Sequence, residues 1–198
     1  MIYDRILITK EEIDARLDEL AKDIVSKYGK FDNVVLLVVL NGARHFADDL
    51  TKRIDADIEA AYICASSYHG KLQSSGEVII SSKISSELKG KRVIIVDDVY
   101  DSGLTLDAVL RFVMKQHPES IKTCVLLEKS KLHKINVKIN FRGFFIEDFF
   151  LVGYGLDYKG QCRDLPFIAS VEPKNILAIS KPKIGKRTNK AQKSGTLR

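Results

Sequence analysis

Residues 93–106 read VIIVDDVYDSGLTL, and this stretch decides the fold. The chain here is apolar without alternation up to Val96, which is typical of a strand that is buried on both faces. Beyond Leu106, apolar residues recur at helical spacing as far as Val113, and we expect Thr105 to help cap that helix. The sequence therefore predicts a buried strand, a turn of small residues and a helix in direct succession.

The turn after this strand has the features of an anion-binding site. A turn of small residues aims successive backbone N–H groups at one point, and the following helix adds positive potential there. Asp97 and Asp98 end the strand, and Asp101 follows three residues later. Because carboxylates repel a phosphate, we expect a divalent cation or sugar hydroxyls between them. The alternative interpretation is a surface turn that is rich in acids and binds nothing.

The length of 198 residues predicts one domain over residues 1–179. No apolar run is long enough to span a bilayer, and the first residues lack the pattern of a signal peptide. The three cysteines are far apart and odd in number, which favours free thiols and a cytoplasmic location over a metal site. We expect no membrane contact.

The net charge of +6 belongs to a C-terminal tail, residues 180–198. This tail has seven basic residues and no acid, and subtracting them from the total leaves −1 for residues 1–179. Because the tail has few large apolar residues, it is predicted to be disordered. Contact with nucleic acid or another anionic surface is the alternative.

Strands and helices alternate along the chain, which predicts an α/β fold with a mostly parallel central sheet flanked by helices. The predicted helices cover residues 10–28 and the segment after Arg44, and the other predicted strands cover 34–40, 58–64 and 122–127, with a short ribbon at 78–80. Ligands of such sheets lie beyond the carboxyl ends of the strands. This rule brings together Asn41, Gly42, the 97–105 turn, Lys129 and the turn after Val152.

With these loops identified, the chain resembles the hypoxanthine-guanine branch of the type I phosphoribosyltransferases. The resemblance covers most of residues 5–172. It is carried by the 97–105 turn and by LNGA at 40–43, SSY at 66–68, LVGYGLDY at 151–158 and CRDLP at 162–166. The stretch from 151 onward is the one that selects the purine branch.

The resemblance implies a role in purine salvage. The reaction is Mg2+-dependent transfer of the 5-phosphoribosyl group from phosphoribosyl pyrophosphate (PRPP) to hypoxanthine or guanine, giving IMP or GMP and pyrophosphate. The resemblance also implies a homodimer or homotetramer. A small hood, formed by the N-terminal segment and residues 144–172, is expected over the site. A mobile lid is expected at 66–86, with Ser67 and Tyr68 at its start.

The resemblance also implies roles for individual residues. Asp97 and Asp98 would hold the ribose hydroxyls and Mg2+, and Asp101 would accept the proton of purine N7. The 5′-phosphate would lie on the backbone amides and hydroxyls of the turn, which are those of Asp101, Ser102, Gly103, Leu104 and Thr105.

The resemblance implies separate sets of residues for the purine and for the pyrophosphate. Lys129 would donate to the 6-oxo group of the purine, Phe150 would stack on its ring, and the Leu151 backbone would meet its edge. Asp157 would line the base and hold a second Mg2+. The pyrophosphate contacts would be Asn41, Gly42 and Arg163.

Two further expectations concern residues near this site. Many relatives carry a basic residue where this chain has Asn41, so either Arg44 compensates or pyrophosphate binds more weakly. Phe144, Phe145 and Phe149 are predicted to be core residues, and the four histidines are predicted to be surface or core residues without a ligand.

Two alternatives to the purine enzyme stay open at this stage. A regulator that senses nucleotides or PRPP and binds RNA or DNA would explain the basic tail, but it has no need for Asp101, Lys129 and Arg163 together. A pyrimidine-specific or xanthine-selective relative would keep the chemistry and change the base.

Overall fold

The computed structural model describes residues 3–67, 78–80, 84, 87–130 and 133–172, without the side chains of residues 66 and 67. The elements in chain order are β1 (Arg5–Ile8), α1 (Lys10–Tyr28), β2 (Val34–Leu40), α2 (Arg44–Arg53), β3 (Glu59–Ser67), β4 (Val78–Ile80), β5 (Arg92–Tyr100), α3 (Leu104–Met114), β6 (Ser120–Lys129), β7 (Phe141–Ile146), β8 (Phe150–Val152) and β9 (Ile168–Val171). Tyr68, most of the predicted lid and the whole predicted tail lie outside the described residues.

The central sheet has the strand order β4-β3-β2-β5-β6-β7. All neighbouring strands in the run β3-β2-β5-β6-β7 pair in parallel, and β4 pairs antiparallel with the end of β3. Helices α1 and α2 pack on one face through residues such as Leu17 and Phe46, and α3 packs on the other face through Val109. Both faces of β2 and β5 are therefore covered, which explains their continuous apolar runs. The predicted α/β class is confirmed.

A second sheet of three antiparallel strands has the order β1-β9-β8. It joins the start of the described chain to its end, since Arg5 pairs with Ser170 and Leu151 also pairs with Ser170. These are the segments from which we expected a hood, and that they cover a bound ligand stays a prediction. Among the described residues, no helix combines the length and the apolar character that a bilayer crossing requires.

Two details of the signature segment differ from expectation. Strand β5 continues through both acids, because Asp97 pairs with Val125 and Tyr100 pairs with Glu128. The helix begins at Leu104, and Gly103 occupies the N-cap position with φ 85° and no side-chain capping bond. Thr105 therefore lies inside the first turn of α3, and the expectation that it caps the helix was wrong.

The predicted aromatic core after residue 143 is only partly present. Phe144 and Phe149 are half-buried and pack against the core. Phe145 is 65% exposed, and the guanidinium of Arg142 lies 4.1 Å from its ring centroid. Strand β7 is the edge of the sheet, so a residue there can point away from the core. The expectation for Phe145 was therefore wrong.

Candidate active site

A pocket of about 430 Å3 opens at the carboxyl ends of the parallel strands. Its walls come from the ends of β2, β5 and β6, from β8 and from the loop that follows β8. Eleven of the residues singled out from the sequence line it, namely Asn41, Gly42, Asp97, Asp98, Asp101, Thr105, Lys129, Phe150, Leu151, Asp157 and Arg163. Segments that are distant in sequence thus meet at one place, as the rule for parallel sheets predicts.

A smaller cavity of about 40 Å3 lies within the 101–105 turn. Ser102 and Gly103 line this cavity together with Thr105, and the backbone N–H of Leu104 donates to Ser102 Oγ at 3.4 Å. A Cβ atom on Gly103 would lie 2.1 Å from the carbonyl oxygen of Ile135. Only glycine combines this close approach with a left-handed backbone, so Gly103 fixes the path of the turn.

The loop after β2 lies directly against the acids of β5. The peptide bond between Leu40 and Asn41 is cis. A Cβ atom on Gly42 would lie 1.7 Å from Asp98 Oδ2, and one on Gly155 would lie 2.3 Å from the Gly42 carbonyl oxygen. Two glycines therefore allow three segments of the pocket wall to touch one another.

Arg44 does not line this pocket. Its Nε atom lies 3.7 Å from Asp48 Oδ2, and its guanidinium lies 5.6 Å from the ring centroid of Tyr62. The side chain is exposed on α2 and directed at neighbours there. The structure thus argues against Arg44 as the replacement for a basic residue at position 41.

Asp97 and Asp98 form a carboxyl pair at the pocket floor. Asp97 is buried and Asp98 is half-buried. Burial raises the pKa of Asp97 well above its usual range, and the neighbouring charge of Asp98 raises it further. Burial also raises the pKa of Asp98, although hydrogen bonds with Asp97 and from the Val99 amide oppose that shift and the charge of Arg163 opposes it to a smaller extent. A cation brought to this pair would therefore favour the ionised form of both carboxyl groups.

The donor chemistry of this pair suits Mg2+. Magnesium prefers oxygen ligands, and it is usually held by one or two carboxylates while water and substrate oxygens fill its other positions. Among the described residues no cluster of three metal-binding side chains occurs. The pair thus fits an ion that is shared with a substrate better than one held in an all-protein cage.

Lys129 lies between two acids at the end of β6. Its Nζ atom lies 3.2 Å from Asp101 Oδ2 and 2.9 Å from Asp148 Oδ1, and the side chain is only 11% exposed. Burial between two carboxylates fixes the ammonium group in the pocket wall. Sequence reasoning identified Lys129 and Asp101 but gave no role to Asp148.

Arg163 lines the same pocket and is held there by two partners. Its Nη2 atom lies 2.5 Å from Asp157 Oδ1, and its Nη1 donates to the Gly155 carbonyl at 2.9 Å. The other carboxylate oxygen of Asp157 accepts a hydrogen bond from the Gly160 amide. The guanidinium is therefore positioned for an anion, while both oxygens of Asp157 are already engaged.

Phe150 presents an aromatic ring to the pocket. It is 40% exposed and makes an edge contact with Tyr158, with ring centroids 5.5 Å apart. The adjacent Leu151 is buried. An accessible aromatic ring in the same pocket as a half-buried cation is an arrangement that can receive a flat heterocycle with a polar edge.

The contact between His133 and Asp101 was not expected from the sequence. The Nδ1 atom of His133 lies 2.5 Å from the Asp101 carbonyl oxygen, and the imidazole ring stacks on Tyr100 with centroids 3.9 Å apart. We expected a histidine on the surface or in the core, because no partner pattern surrounds it in the sequence. The only available signal was its position four residues after Lys129, just beyond a strand that ends at the pocket.

Comparison with known proteins finds phosphoribosyltransferases over most of the chain. The sequence model of the phosphoribosyl transferase domain family matches residues 5–159. A hypoxanthine phosphoribosyltransferase of Buchnera aphidicola is 38% identical over 168 residues, which cover 84% of this chain and 95% of that protein. A hypoxanthine-guanine phosphoribosyltransferase of Bacillus subtilis is 38% identical over 171 residues, which cover 86% and 94%.

Solved structures give the same result. A crystal structure of a hypoxanthine-guanine phosphoribosyltransferase from Bacillus anthracis matches with a TM-score of 0.80 and 36% identity, covering 86% of this chain and 99% of the other. The resemblance inferred from the motifs is thereby confirmed. The chain belongs to the hypoxanthine-guanine phosphoribosyltransferase family of transferases.

Proposed function

We propose that this protein transfers the 5-phosphoribosyl group of PRPP to hypoxanthine and guanine, producing IMP or GMP and pyrophosphate for purine salvage. The observation that carries the proposal is the meeting of an anion-binding turn, a carboxyl pair and the half-buried Lys129 in one pocket of about 430 Å3. A phosphorylated sugar needs the first two features, and an oxopurine needs the third.

The 5′-phosphate is assigned to the 101–105 turn. This turn opens the 11-residue helix α3, whose N-terminus adds positive potential, and it encloses the cavity of about 40 Å3. Ser102 and Thr105 line the same cavity, and their hydroxyls would add donors. Leu104 would contribute through its backbone alone.

The ribose hydroxyls and Mg2+ are assigned to Asp97 and Asp98. Mg2+, when bound, would supply positive charge beside the pyrophosphate group. The Asn41 and Gly42 backbone and the Arg163 guanidinium would hold the pyrophosphate from the other side. Asp157 would hold a second Mg2+ through the acceptor sites that Arg163, 2.5 Å away, and the Gly160 amide leave on its carboxylate.

The base is assigned to the wall formed by Lys129, Phe150 and Leu151. The Lys129 ammonium donates to the 6-oxo group, which favours oxopurines because the 6-amino group of adenine offers no acceptor there. During transfer, the bond from C1′ to pyrophosphate breaks, a bond from C1′ to a purine nitrogen forms, and Asp101 accepts the purine proton. Donors fixed in advance around the developing charges are expected to supply most of the catalysis.

An assay with several bases tests this proposal. The protein is mixed with PRPP and Mg2+, and nucleotide formation is followed with hypoxanthine, guanine, xanthine, adenine or uracil. We expect IMP and GMP. Product from xanthine or uracil alone would point to the selective relatives instead. Absence of product with every base across the neutral pH range would favour the regulator that binds nucleotides.

Several expectations from the sequence stay proposals. They are the single domain over residues 1–179, the lid at 66–86 and the cytoplasmic location. A homodimer or homotetramer and a contact of the tail with nucleic acid belong to the same group. Sedimentation of the full chain, with and without RNA, measures the last two.

A further inference from the structure

We propose that His133 is a positioning residue for the anion-binding turn, because it orients the backbone N–H groups that receive the 5′-phosphate. The proposal deepens the proposed function and rests on its assignment of the phosphate to the 101–105 turn. His133 lies in the segment between β6 and β7, outside the walls of both cavities at the site.

The segment around His133 holds two successive peptide groups of the turn from outside. His133 Nδ1 lies 2.5 Å from the Asp101 carbonyl oxygen. Since a carbonyl only accepts hydrogen bonds, Nδ1 must carry the hydrogen. Two residues further on, the Ile135 amide donates to the Ser102 carbonyl at 3.1 Å. Consecutive carbonyls of the turn are thus both bonded to one neighbouring segment.

These two bonds also fix the N–H groups of the turn. In a planar trans peptide the C=O and N–H bonds point in opposite directions. The Asp101 carbonyl is held toward His133, so the Ser102 N–H of the same peptide group points away from His133. The Ser102 carbonyl is held toward the Ile135 amide, so the Gly103 N–H points away from Ile135. Neither N–H donates to any group in the described part of the chain. Both are therefore available to an anion in the cavity that Ser102 and Gly103 line.

His133 is itself held in place from two sides. Its ring lies on Tyr100 at an interplanar angle of 26°, and the Tyr100 hydroxyl donates to the Ile135 carbonyl at 3.0 Å while it accepts from the Val137 amide at 2.8 Å. The Nε2 atom lies 3.8 Å from a carboxylate oxygen of Glu128. With 15% of its side chain exposed, the imidazole is part of the support behind the turn.

Substitutions at residue 133 separate the hydrogen bond from the ring contact. His133→Phe keeps a ring on Tyr100 and removes the donor, whereas His133→Asn places an amide nitrogen near the position of Nδ1. His133→Gln extends its amide toward the position of Nε2 and serves as a second variant without the donor to Asp101. It also keeps the test decisive if the Phe variant folds poorly.

We expect the Phe and Gln variants to raise the KM for PRPP by about 5- to 10-fold, the size of effect of one lost hydrogen bond. The KM for hypoxanthine should change less than about 2-fold, because His133 is not among the residues that line the pocket to which the base is assigned. The Asn variant should recover most of the affinity for PRPP. An unchanged KM for PRPP, an equal rise of both KM values, or an Asn variant no better than Phe would overturn the proposal.

Binding of ribose 5-phosphate, measured by calorimetry, separates this proposal from the proposed function. If the wild-type chain binds the sugar phosphate but makes no nucleotide, the proposed function fails, and the loss of binding in His133→Phe still tests the positioning role. If the wild type is active and all three variants bind ribose 5-phosphate as tightly as the wild type does, the positioning role of His133 is wrong while the proposed function stands.

Discussion

Gly42 and Asp98 touch so closely that a single methyl group does not fit between them, since a Cβ atom on residue 42 would lie 1.7 Å from Asp98 Oδ2. In Gly42→Ala either the loop after β2 or the Asp98 carboxylate must move. A displacement of about 1 Å at a reacting centre costs about 100-fold in rate. We therefore expect kcat/KM to fall by about that factor, measured with PRPP and hypoxanthine.

Gly90→Ala is the control for this change. A Cβ atom there meets nothing within 4 Å, although φ is 69°. The left-handed backbone should cost about 1–2 kcal/mol of stability with no loss of activity. Gly42→Ala with unchanged kinetics would mean that the contact with Asp98 does not matter for the reaction.

The ammonium of Lys129 is predicted to set the preference for oxopurines. Lys129→Gln removes the cation. We expect kcat/KM for hypoxanthine to fall by about 100- to 1000-fold, which is the loss that typically follows removal of one donor to a developing charge. Discrimination against adenine should fall with it. Asp148→Asn keeps Lys129 but removes one of its two acidic partners, so we expect a smaller loss.

Steady-state kinetics with hypoxanthine and adenine measure both quantities. Lys10→Gln is the matched control, because Lys10 is an exposed lysine paired with Asp14 on α1. An unaltered ratio of hypoxanthine to adenine in Lys129→Gln would contradict the assignment of the 6-oxo group to this residue.

The buried strands and the convergence of the loops could be predicted because local pattern determines them. Strand β2 is covered on both faces, so its apolar run has no interruption, and the parallel order of the sheet then puts Asn41, Asp97 and Lys129 at one edge. Leu17 and Phe46 lie on helix faces whose spacing is visible in the sequence.

What could not be predicted depends on partners that are distant in the chain. Gly103 takes the N-cap position of α3, where its left-handed φ and missing side chain let the chain pass close to the Ile135 carbonyl, and Thr105 lies inside the helix instead. Phe145 lies on an edge strand under Arg142, where an aromatic residue is not forced inward. The contact of His133 with Asp101 joins residues 32 positions apart, and no local pattern marks it.

Tyr154 and Asp49 join the loop after β8 to α2 through a hydrogen bond of 2.9 Å. Burial alone would raise the pKa of Asp49, but hydrogen bonds from Lys52 and Tyr154 outweigh it and the pKa lies below its usual value. A lowered pKa means that the interaction stabilises the fold above the unfolded-state pKa and that this stability is lost as the pH falls through the folded-state pKa.

Tyr154→Phe should therefore lower the Tm by about 2–4 °C at neutral pH, where the lost bond is worth about 1 kcal/mol. The difference from wild type should shrink as the pH falls below the usual pKa of aspartate. Thermal unfolding at several pH values measures it. Tyr62→Phe is the control, since Tyr62 contacts Arg44 through its ring. A Tm difference that stays constant with pH would exclude the role of the Asp49 charge.

Asn41 lies exposed at the pocket wall beside Gly42, and Arg44 is engaged by Asp48 and Tyr62. A lysine at position 41 would add positive charge where pyrophosphate is proposed to lie. We expect Asn41→Lys to tighten the inhibition constant of pyrophosphate by about 3- to 10-fold at low salt, and by less at high salt because ions screen an exposed charge. Asn41→Gln adds length without charge and should leave the constant unchanged. If the Lys variant does not tighten binding, or if the Gln variant tightens it equally, then charge at position 41 does not govern pyrophosphate affinity.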